Sequence, residues 1–384
     1  MKQGRYFATF PTPLAVQFVF ARFVRFFDLE NLRLDTHTPA ALIPVILLTG
    51  FLGSGKTTVL NHLLRHLPLT AVVMNEFGEI GLDHQLLSES HGPLALLAGG
   101  CLCCQIQGTL APTLKNLYMA RSSGKLPPYE RIIIETTGIA DPAPILDTLI
   151  NDRWLAARHQ LAGVITTVDA LLAAQQLDTH FEAVRQISVA DRLLLTKTDL
   201  ASHEQISALK QRLTALNPAA EVEQVVQGEI APERVTHLGL FNPRTKHPNV
   251  MKWLAHQQYK PATRGLLGAS HVTTPRTQSA ATHDRRIRSF SLTFEGALEW
   301  YAVLSALEVL QNLQPQSLLR MKALLNIKGK SNPVVLQAVQ HILHPPAELS
   351  AWPDEDRRSR FVFITADLDE AFVAKLLADF TQSL

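Results

Sequence analysis

Residues 50–57 read Gly-Phe-Leu-Gly-Ser-Gly-Lys-Thr, and this stretch decides the fold. It fits the phosphate-loop pattern G-x-x-x-x-G-K-S/T, and it lies between the apolar run Val45–Thr49 and the helical pattern Thr57–Leu67. Glycines allow backbone N–H groups to curl around phosphates, and the N-terminus of the following helix favours an anion. The stretch therefore predicts a strand, a phosphate-binding loop and a helix in that order.

The residue types in this loop suit a magnesium-bound nucleotide. We expect Lys56 to reach the β- and γ-phosphates and the Thr57 hydroxyl to ligate Mg²⁺. Further contacts are expected from the rest of the loop and the start of the helix, at Gly50, Gly53, Ser54, Gly55 and Thr58. The alternative is a glycine-rich turn without nucleotide, which the flanking strand and helix disfavour.

A second apolar strand, Arg131–Ile134, is followed by an acid in the segment RIIIETTG. Its end would deliver Glu135 close to the metal and the phosphates, where most P-loop proteins use Asp. Glutamate is longer than aspartate by one methylene, so Glu135 could also contact the metal through a water molecule. Lys56 and Glu135 are thus the expected catalytic residues, with Gly138 as a further nucleotide contact. The competing interpretation is an ordinary strand end with a surface acid.

The strand Arg192–Thr196 ends in a segment that resembles the N-K-x-D signature for guanine, here Thr196-Lys197-Thr198-Asp199. A carboxylate at Asp199 can accept from guanine N1–H and N2–H, whereas adenine would leave it unpaired at a cost on the order of 1–3 kcal/mol. Thr196 departs from the signature, because a hydroxyl cannot donate and accept as an amide does. We expect Thr196, Lys197 and Asp199 to contact the base, with GTP as the nucleotide.

All three cysteines lie within four positions, at Cys101, Cys103 and Cys104. An odd number argues against a disulfide framework and for a reducing compartment. Soft metals prefer thiolates and zinc takes four ligands, so three thiolates leave one position for water, a carboxylate or a ligand from a receiving protein. Cobalt and nickel are alternatives to zinc. Buried free cysteines and a redox thiol cluster are alternatives to a metal site.

The cysteines lie between two acids, Glu76 in the segment Asn75–Glu79 and Glu135. In P-loop switches, the segments between the phosphate loop and the second acid respond to the γ-phosphate. The thiolates are therefore expected where nucleotide state can move them. Glu76 is a candidate ligand for Mg²⁺ or for the thiolate-bound metal, and a solvated loop is the alternative.

From Pro44 onward, short apolar runs alternate with helical patterns, as in an α/β fold whose mostly parallel sheet has helices on both faces. Further strands are expected at Ala71–Met74 and Leu161–Val168, and a further helix at His203–Leu216. We expect a P-loop NTPase domain over residues 42–243.

A smaller unit is expected over residues 287–384. Its order of strand, helix, three strands and helix indicates a small α+β domain, with elements at Ile287–Thr293, Ala297–Leu310, Leu318–Ile327, Val334–Ile342, Phe361–Thr365 and Leu368–Phe380. Residues 244–286 form a basic connector. The stretch 244–288 holds nine Lys or Arg and one acid, which suits a solvated linker or a docking strip for an acidic partner.

The composition excludes some classes of partner. The chain has 384 residues and a net charge of +2, which indicates no nucleic-acid partner. No stretch reaches the roughly 18 apolar residues of a membrane helix, and a cytoplasmic location is expected. Residues 1–41 read as an N-terminal extension, and a signal peptide fits poorly because Arg22 and Arg25 interrupt its apolar run. A homodimer is compatible with the sequence.

Five segments together carry a family resemblance. GFLGSGKTT, NEFGEIGLD, GGCLCC, ETTGIADPAPIL and LLTKTDL follow one another as in the CobW-type GTPases, and the chain most resembles the YjiA-like branch over residues 43–384 apart from the connector. The resemblance implies that GTP hydrolysis controls metal delivery to a client protein. It also implies Cys101, Cys103 and Cys104 as zinc ligands.

Two other functions compete with a GTP-hydrolysing metal chaperone. A P-loop ATPase or kinase with a structural zinc site would differ in base selectivity. A zinc-buffering protein would leave Lys56, Thr57 and Glu135 without a role.

Overall fold

The computed structural model describes residues 42–75, 94–97, 101–105, 110–236, 238, 250–255, 260–261, 286–314 and 316–382. The N-terminal extension, Glu76 and most of the basic connector lie outside these ranges. In the described part, two units follow one another, each built on one β-sheet.

The first unit alternates strands and helices as the sequence predicts. Its strands are β1 (Ile43–Gly50), β2 (Thr70–Asn75), β3 (Leu94–Leu97), β4 (Cys101–Gln105), β5 (Arg131–Thr136), β6 (His159–Asp169), β7 (Arg192–Thr196) and β8 (Glu221–Val225). Its helices are α1 (Lys56–His66), α2 (Leu110–Ser122), α3 (Ala143–Asn151), α4 (Arg153–Ala156), α5 (Ala173–Thr179), α6 (Phe181–Ser188), α7 (His203–Leu216) and α8 (Pro232–Thr236).

The sheet of this unit has the strand order β3-β4-β2-β5-β1-β6-β7-β8 in the described residues. Every neighbouring pair is parallel except β3 and β4, which are antiparallel. The carboxyl ends of β1, β2, β5, β6 and β7 therefore meet at one edge. That edge receives the phosphate loop after β1, Glu135 on β5 and, at the end of β7, the segment Thr196–Asp199 that is predicted to contact the base.

Helices cover both faces because side chains alternate along a strand. Val45 and Leu47 of β1 pack with α2, α3 and α4, whereas Ile46 and Leu48 pack with α1 on the other face. All four side chains are buried. This confirms the predicted α/β class and explains why the strands read as continuous apolar runs.

The second unit is a mostly antiparallel sheet with its two long helices on one face, which confirms the small α+β domain. Its strands are β9 (Lys260–Pro261), β10 (Ile287–Phe294), β11 (Leu318–Leu325), β12 (Val334–Val339), β13 (Ile342–Leu343), β14 (Ala347–Glu348) and β15 (Ser359–Ala366), and its helices are α9 (Val250–Leu254), α10 (Trp300–Leu313) and α11 (Glu370–Gln382). The strand order is β13-β12-β11-β15-β10-β9, with β14 paired to β12. Phe290, Met321 and Phe363 form its core with α10 and α11.

The connector is more structured than a solvated linker in the parts that are described. Val250 and Leu254 of α9 are buried against the face of the second sheet that α10 and α11 leave open. Strand β9 pairs with β10 in parallel. The linker interpretation is therefore wrong for α9 and β9, because apolar residues within the basic stretch fold onto the second unit.

Among the described helices, none is long and apolar enough to cross a membrane.

Candidate functional site

The phosphate loop adopts the conformation that its glycines predict. Gly50 has φ of +143°, and a Cβ built there would lie 2.2 Å from Thr167 Oγ1, so no larger residue fits. Gly53 and Gly55 also have positive φ, and Gly55 is the N-cap of α1. Ser54 is buried, with its Oγ 2.6 Å from Thr167 Oγ1. The loop is thus clamped onto the end of β6.

Lys56 curls back across the mouth of this loop. Its Nζ donates to the carbonyl oxygens of Gly50 at 2.9 Å and of Phe51 at 3.3 Å. This places a cation over the loop whose backbone N–H groups suit phosphate oxygens. Thr58 is exposed one turn into α1.

Thr57 and Glu135 meet at the edge where β1 and β5 end. The Thr57 hydroxyl donates to Glu135 Oε1 at 2.9 Å, and Glu135 is only 6% exposed. Hydroxyl and carboxylate oxygens are ligands of the kind that Mg²⁺ takes, so the pair fits the ion expected with a nucleotide. The competing interpretation of Glu135 as a surface acid is wrong, because β5 continues past it to Thr136 and buries it.

Gly138 brings the segment after Glu135 into contact with the phosphate loop. A Cβ at Gly138 would lie 2.7 Å from the backbone nitrogen of Leu52. The buried Gln186 of α6 donates through Nε2 to the carbonyls of Ala140 at 3.0 Å and of Gly138 at 3.3 Å. The segment is therefore held between the loop and α6.

Thr196 joins the segment Thr196–Asp199, predicted to contact the base, to the phosphate loop. Its hydroxyl lies 2.8 Å from the carbonyl oxygen of Ser54 and 3.2 Å from that of Val168. The residue that departs from N-K-x-D is thus engaged in joining two loops. Lys197 follows with φ of +56°, and Asp199 is exposed in the next turn.

Two contributors to this site were missed from the sequence. Asp169 is fully buried, accepts from Lys197 Nζ at 2.7 Å through Oδ2 and caps the backbone of Leu171 at 2.8 Å through Oδ1. Gly228 follows β8, and a Cβ there would lie 2.6 Å from the carbonyl oxygen of Thr58. Asp169 had a signal, because it directly follows the predicted strand Leu161–Val168. Gly228 had no such signal, because the strand before it, β8, mixes polar and apolar residues and was not predicted.

The three cysteines lie on β4, where no strand was predicted. Backbone pairing aligns Cys103 with Val72 and Cys104 with Val73 of β2, while Met74 of β2 aligns with Glu135 of β5. Two strand spacings separate β4 from β5, so the cysteine backbone ends about 10 Å from that of Glu135. Glu76 follows β2 but lies outside the described residues. Among the described residues, no group of three or more His, Cys, Asp or Glu is placed to hold a metal ion.

Comparison with known proteins agrees with this architecture. Residues 44–224 match the family model of the CobW/HypB/UreG nucleotide-binding domain, and residues 287–381 match that of the cobalamin synthesis protein CobW C-terminal domain. The chain is 35% identical to the zinc chaperone YjiA of Escherichia coli over 85% of its own length and 95% of that protein. It is 27% identical to the zinc chaperone CobW of Pseudomonas aeruginosa over 88% of its own length and 91% of that protein.

The fold is similar to a solved structure of the same kind. The Zn(II)-bound YjiA GTPase from E. coli superposes with a TM-score of 0.67 and 30% identity, covering 89% of this chain and 99% of that one.

Proposed function

The chain belongs to the CobW family of GTPases, and on that premise we propose that it is a zinc chaperone in which GTP binding and hydrolysis control the loading and release of the metal. The observation that carries the proposal is the continuity of the sheet between the two sites. Strand β4, with the three cysteines, is bonded to β2, and β2 is bonded to β5, which ends at Glu135. A change at the nucleotide site thus has a direct route to the cysteine strand.

In the proposed nucleotide site, Lys56 leaves the carbonyls of Gly50 and Phe51 and binds the β- and γ-phosphates. The glycine backbone holds the same phosphates through its N–H groups. Thr57 and Glu135 would hold Mg²⁺, which when bound neutralises charge that develops on the γ-phosphate oxygens. Glu135 is buried and already hydrogen-bonded to Thr57, so it is positioned to orient water or metal without a large rearrangement.

In the proposed base site, Asp199 accepts from guanine, and Lys197 is held in place by the buried Asp169. The substitution Asp199→Asn should shift preference from guanine to xanthine nucleotides, because the xanthine C2 oxygen can accept from the new amide. Calorimetric titration with GTP, XTP and ATP measures this. Equal binding of GTP and ATP by the native chain would remove the guanine assignment.

The proposed cargo is Zn²⁺, bound by the thiolates of Cys101, Cys103 and Cys104. Three protein ligands leave one position open, as suits a metal that must leave again. Glu76 is the nearest acid in sequence to β2 and is proposed as the residue that links this site to the nucleotide. The relatives are named zinc chaperones, so we propose a metal-requiring client protein as the recipient. A homodimer remains a separate prediction, checked by analytical ultracentrifugation.

Zinc affinity in different nucleotide states tests the proposal. We expect GTP with Mg²⁺ to strengthen Zn²⁺ binding and GDP to weaken it, with a coupling of about 1–3 kcal/mol, or roughly 5- to 150-fold. Competition against a chromogenic zinc chelator measures the affinity in the apo, GDP and GTP-analogue states.

Two variants separate zinc binding from GTP binding. Replacing all three cysteines by serine should abolish this zinc binding but leave GTP binding, whereas Lys56→Ala should lose GTP binding but keep zinc. Identical zinc affinities in all three nucleotide states would end the chaperone mechanism even if both ligands bind.

A further inference from the structure

Helix α1 carries two histidines one turn apart near its C-terminal end. His62 and His66 are spaced i and i+4, and their ring centroids lie 4.4 Å apart with an angle of 30° between the planes. Two histidines at this spacing on one helix face are a known arrangement for binding zinc. His66 is exposed and His62 half-buried, so both are open to a solvent ion.

The hydrogen bond of His66 fixes which nitrogen is available. Its Nδ1 lies 2.9 Å from the carbonyl oxygen of His62. A carbonyl only accepts, so Nδ1 carries the proton, and in the neutral ring Nε2 keeps its lone pair. Histidines that ligate metals commonly donate a hydrogen bond from the N–H of the second ring nitrogen to a carbonyl in this way, and the bond sets the tautomer and the ring orientation.

The local field has two opposing contributions. The partial negative charge of the helix C-terminus favours a cation next to the last turn. Arg65 lies in that same turn and opposes a divalent ion. A site with two protein ligands, solvent access and a neighbouring guanidinium suits weak, rapidly exchanging binding.

We propose that His62 and His66 form a second divalent-metal site, in which both imidazoles bind Zn²⁺ and water fills the remaining positions. The site is separate from the nucleotide. His62 and His66 lie six and ten residues after Lys56, about 9 and 15 Å along the helix axis away from the phosphate loop. The competing explanation is that the two rings stack to stabilise the helix, as aromatic neighbours at this spacing do.

Histidine footprinting of the full-length chain distinguishes these two explanations. Diethyl pyrocarbonate modifies unligated imidazole nitrogen, and mass spectrometry of the peptides reports each histidine separately. With Zn²⁺ as the only added ligand, we expect the modification of His62 and His66 to slow together. His203 is exposed at the start of α7 and provides the control, whose rate should not change.

A matched pair of variants completes the test. In His66→Asn, zinc should no longer protect His62, because one exposed imidazole is a poor ligand alone; in His203→Asn, protection should persist. Protection should be equal with and without GTP, and GTP hydrolysis should match the native chain in His66→Asn, which also shows that this variant is folded. Equal modification rates with and without zinc, or zinc protection of His62 that survives in His66→Asn, would overturn the proposal. Neither result bears on the thiolate site.

Discussion

Among the polar contacts between the two units in the described residues, two sets differ in burial, and we call them joints. At the first, Arg320 of β11 donates to the Asp191 carboxylate and to the carbonyls of Val189 and Ala190, and both charged side chains are only 5% exposed. At the second, Asp141 accepts from Gln340 at 2.9 Å and from Arg185 at 3.0 Å, and the two charged side chains are 20–26% exposed.

The difference in burial implies a difference in what each joint can do. Removing one partner of the first joint would leave the other charge buried and unpaired, which costs about 3–5 kcal/mol. At the second joint, water reaches both charged side chains and can replace a lost partner. The second joint also lies three residues after Gly138, in the segment that packs on the phosphate loop. We interpret the Arg320 joint as fixed and the Asp141 joint as responsive to the nucleotide.

The largest effect is expected from breaking the fixed joint. The substitution Arg320→Met should lower the free energy of unfolding by about 3–5 kcal/mol, because it leaves Asp191 buried without its partner. Urea unfolding monitored by fluorescence measures the change.

Arg358 provides the control for this prediction. It pairs with Asp356 at 2.9 Å on the surface and is 48% exposed. Arg358→Met should cost about 1 kcal/mol or less, since exposed ion pairs contribute little. Similar losses in the two variants would show that burial does not set the cost of removing an arginine from its ion pair.

A smaller loss of stability is expected at low pH, from a histidine close to the Arg320 joint. Burial, and then the charge of Arg320, lower the pKa of His344 from 6.5 to about 4. Gln337 Nε2 lies 3.0 Å from His344 Nδ1 and can only donate, so the folded state holds the neutral ring. The unfolded chain therefore binds this proton first as the pH falls. Stability should drop by about 3 kcal/mol between pH 6.5 and 4 from this residue alone.

The pH slope of His344→Gln checks this assignment. Glutamine does not titrate, so the variant should lose less stability over the same interval. Burial also lowers the pKa of Lys322 to about 7, but below pH 6 that lysine is protonated in both states and adds little slope. An unchanged slope in His344→Gln would assign the acid sensitivity to other groups.

The sequence predicts the parts of this molecule that are local. The phosphate loop follows from glycine spacing, and Glu135 follows from its strand, because both depend on neighbours within a few residues. The two joints between the units cannot be predicted from residues that are close in the sequence. Asp141 and Gln340 are 199 residues apart, and neither lies in a pattern that indicates a partner.

Strand β4 escaped prediction for a different reason. Its sequence CLCCQ is short and lacks both a long apolar run and alternation, so nothing in it indicates a strand until β2 and β3 pair with it. Asp169 was missed by one residue, since the predicted strand stopped at Val168. Its role depends on Lys197, which a different loop brings to it.

The smallest effect on stability is expected at the responsive joint, where the effect on coupling should be clearest. The substitution Gln340→Ala removes the Asp141–Gln340 bond between the units but leaves Asp141 its contacts with Arg185 and with the Ala143 amide at the start of α3. The bond from Arg185 to Gln316 of the second unit also stays in place. Losing one hydrogen bond at an acid whose side chain is 26% exposed should cost about 1 kcal/mol or less. GTP binding should not change, because the phosphate loop keeps all its contacts.

What should change is the communication between the units. In the native chain we expect amide hydrogen exchange at Ile342–Leu343 to differ between the GDP and GTP-analogue states, because this strand follows Gln340 and packs with α3. In Gln340→Ala that difference should disappear. Gln311→Ala is the matched control, since Gln311 bonds the Gln340 carbonyl at 3.2 Å within the second unit and does not cross between units. A nucleotide-dependent difference that survives in Gln340→Ala but not in Gln311→Ala would place the transmission inside the second unit and reverse our interpretation of the two joints.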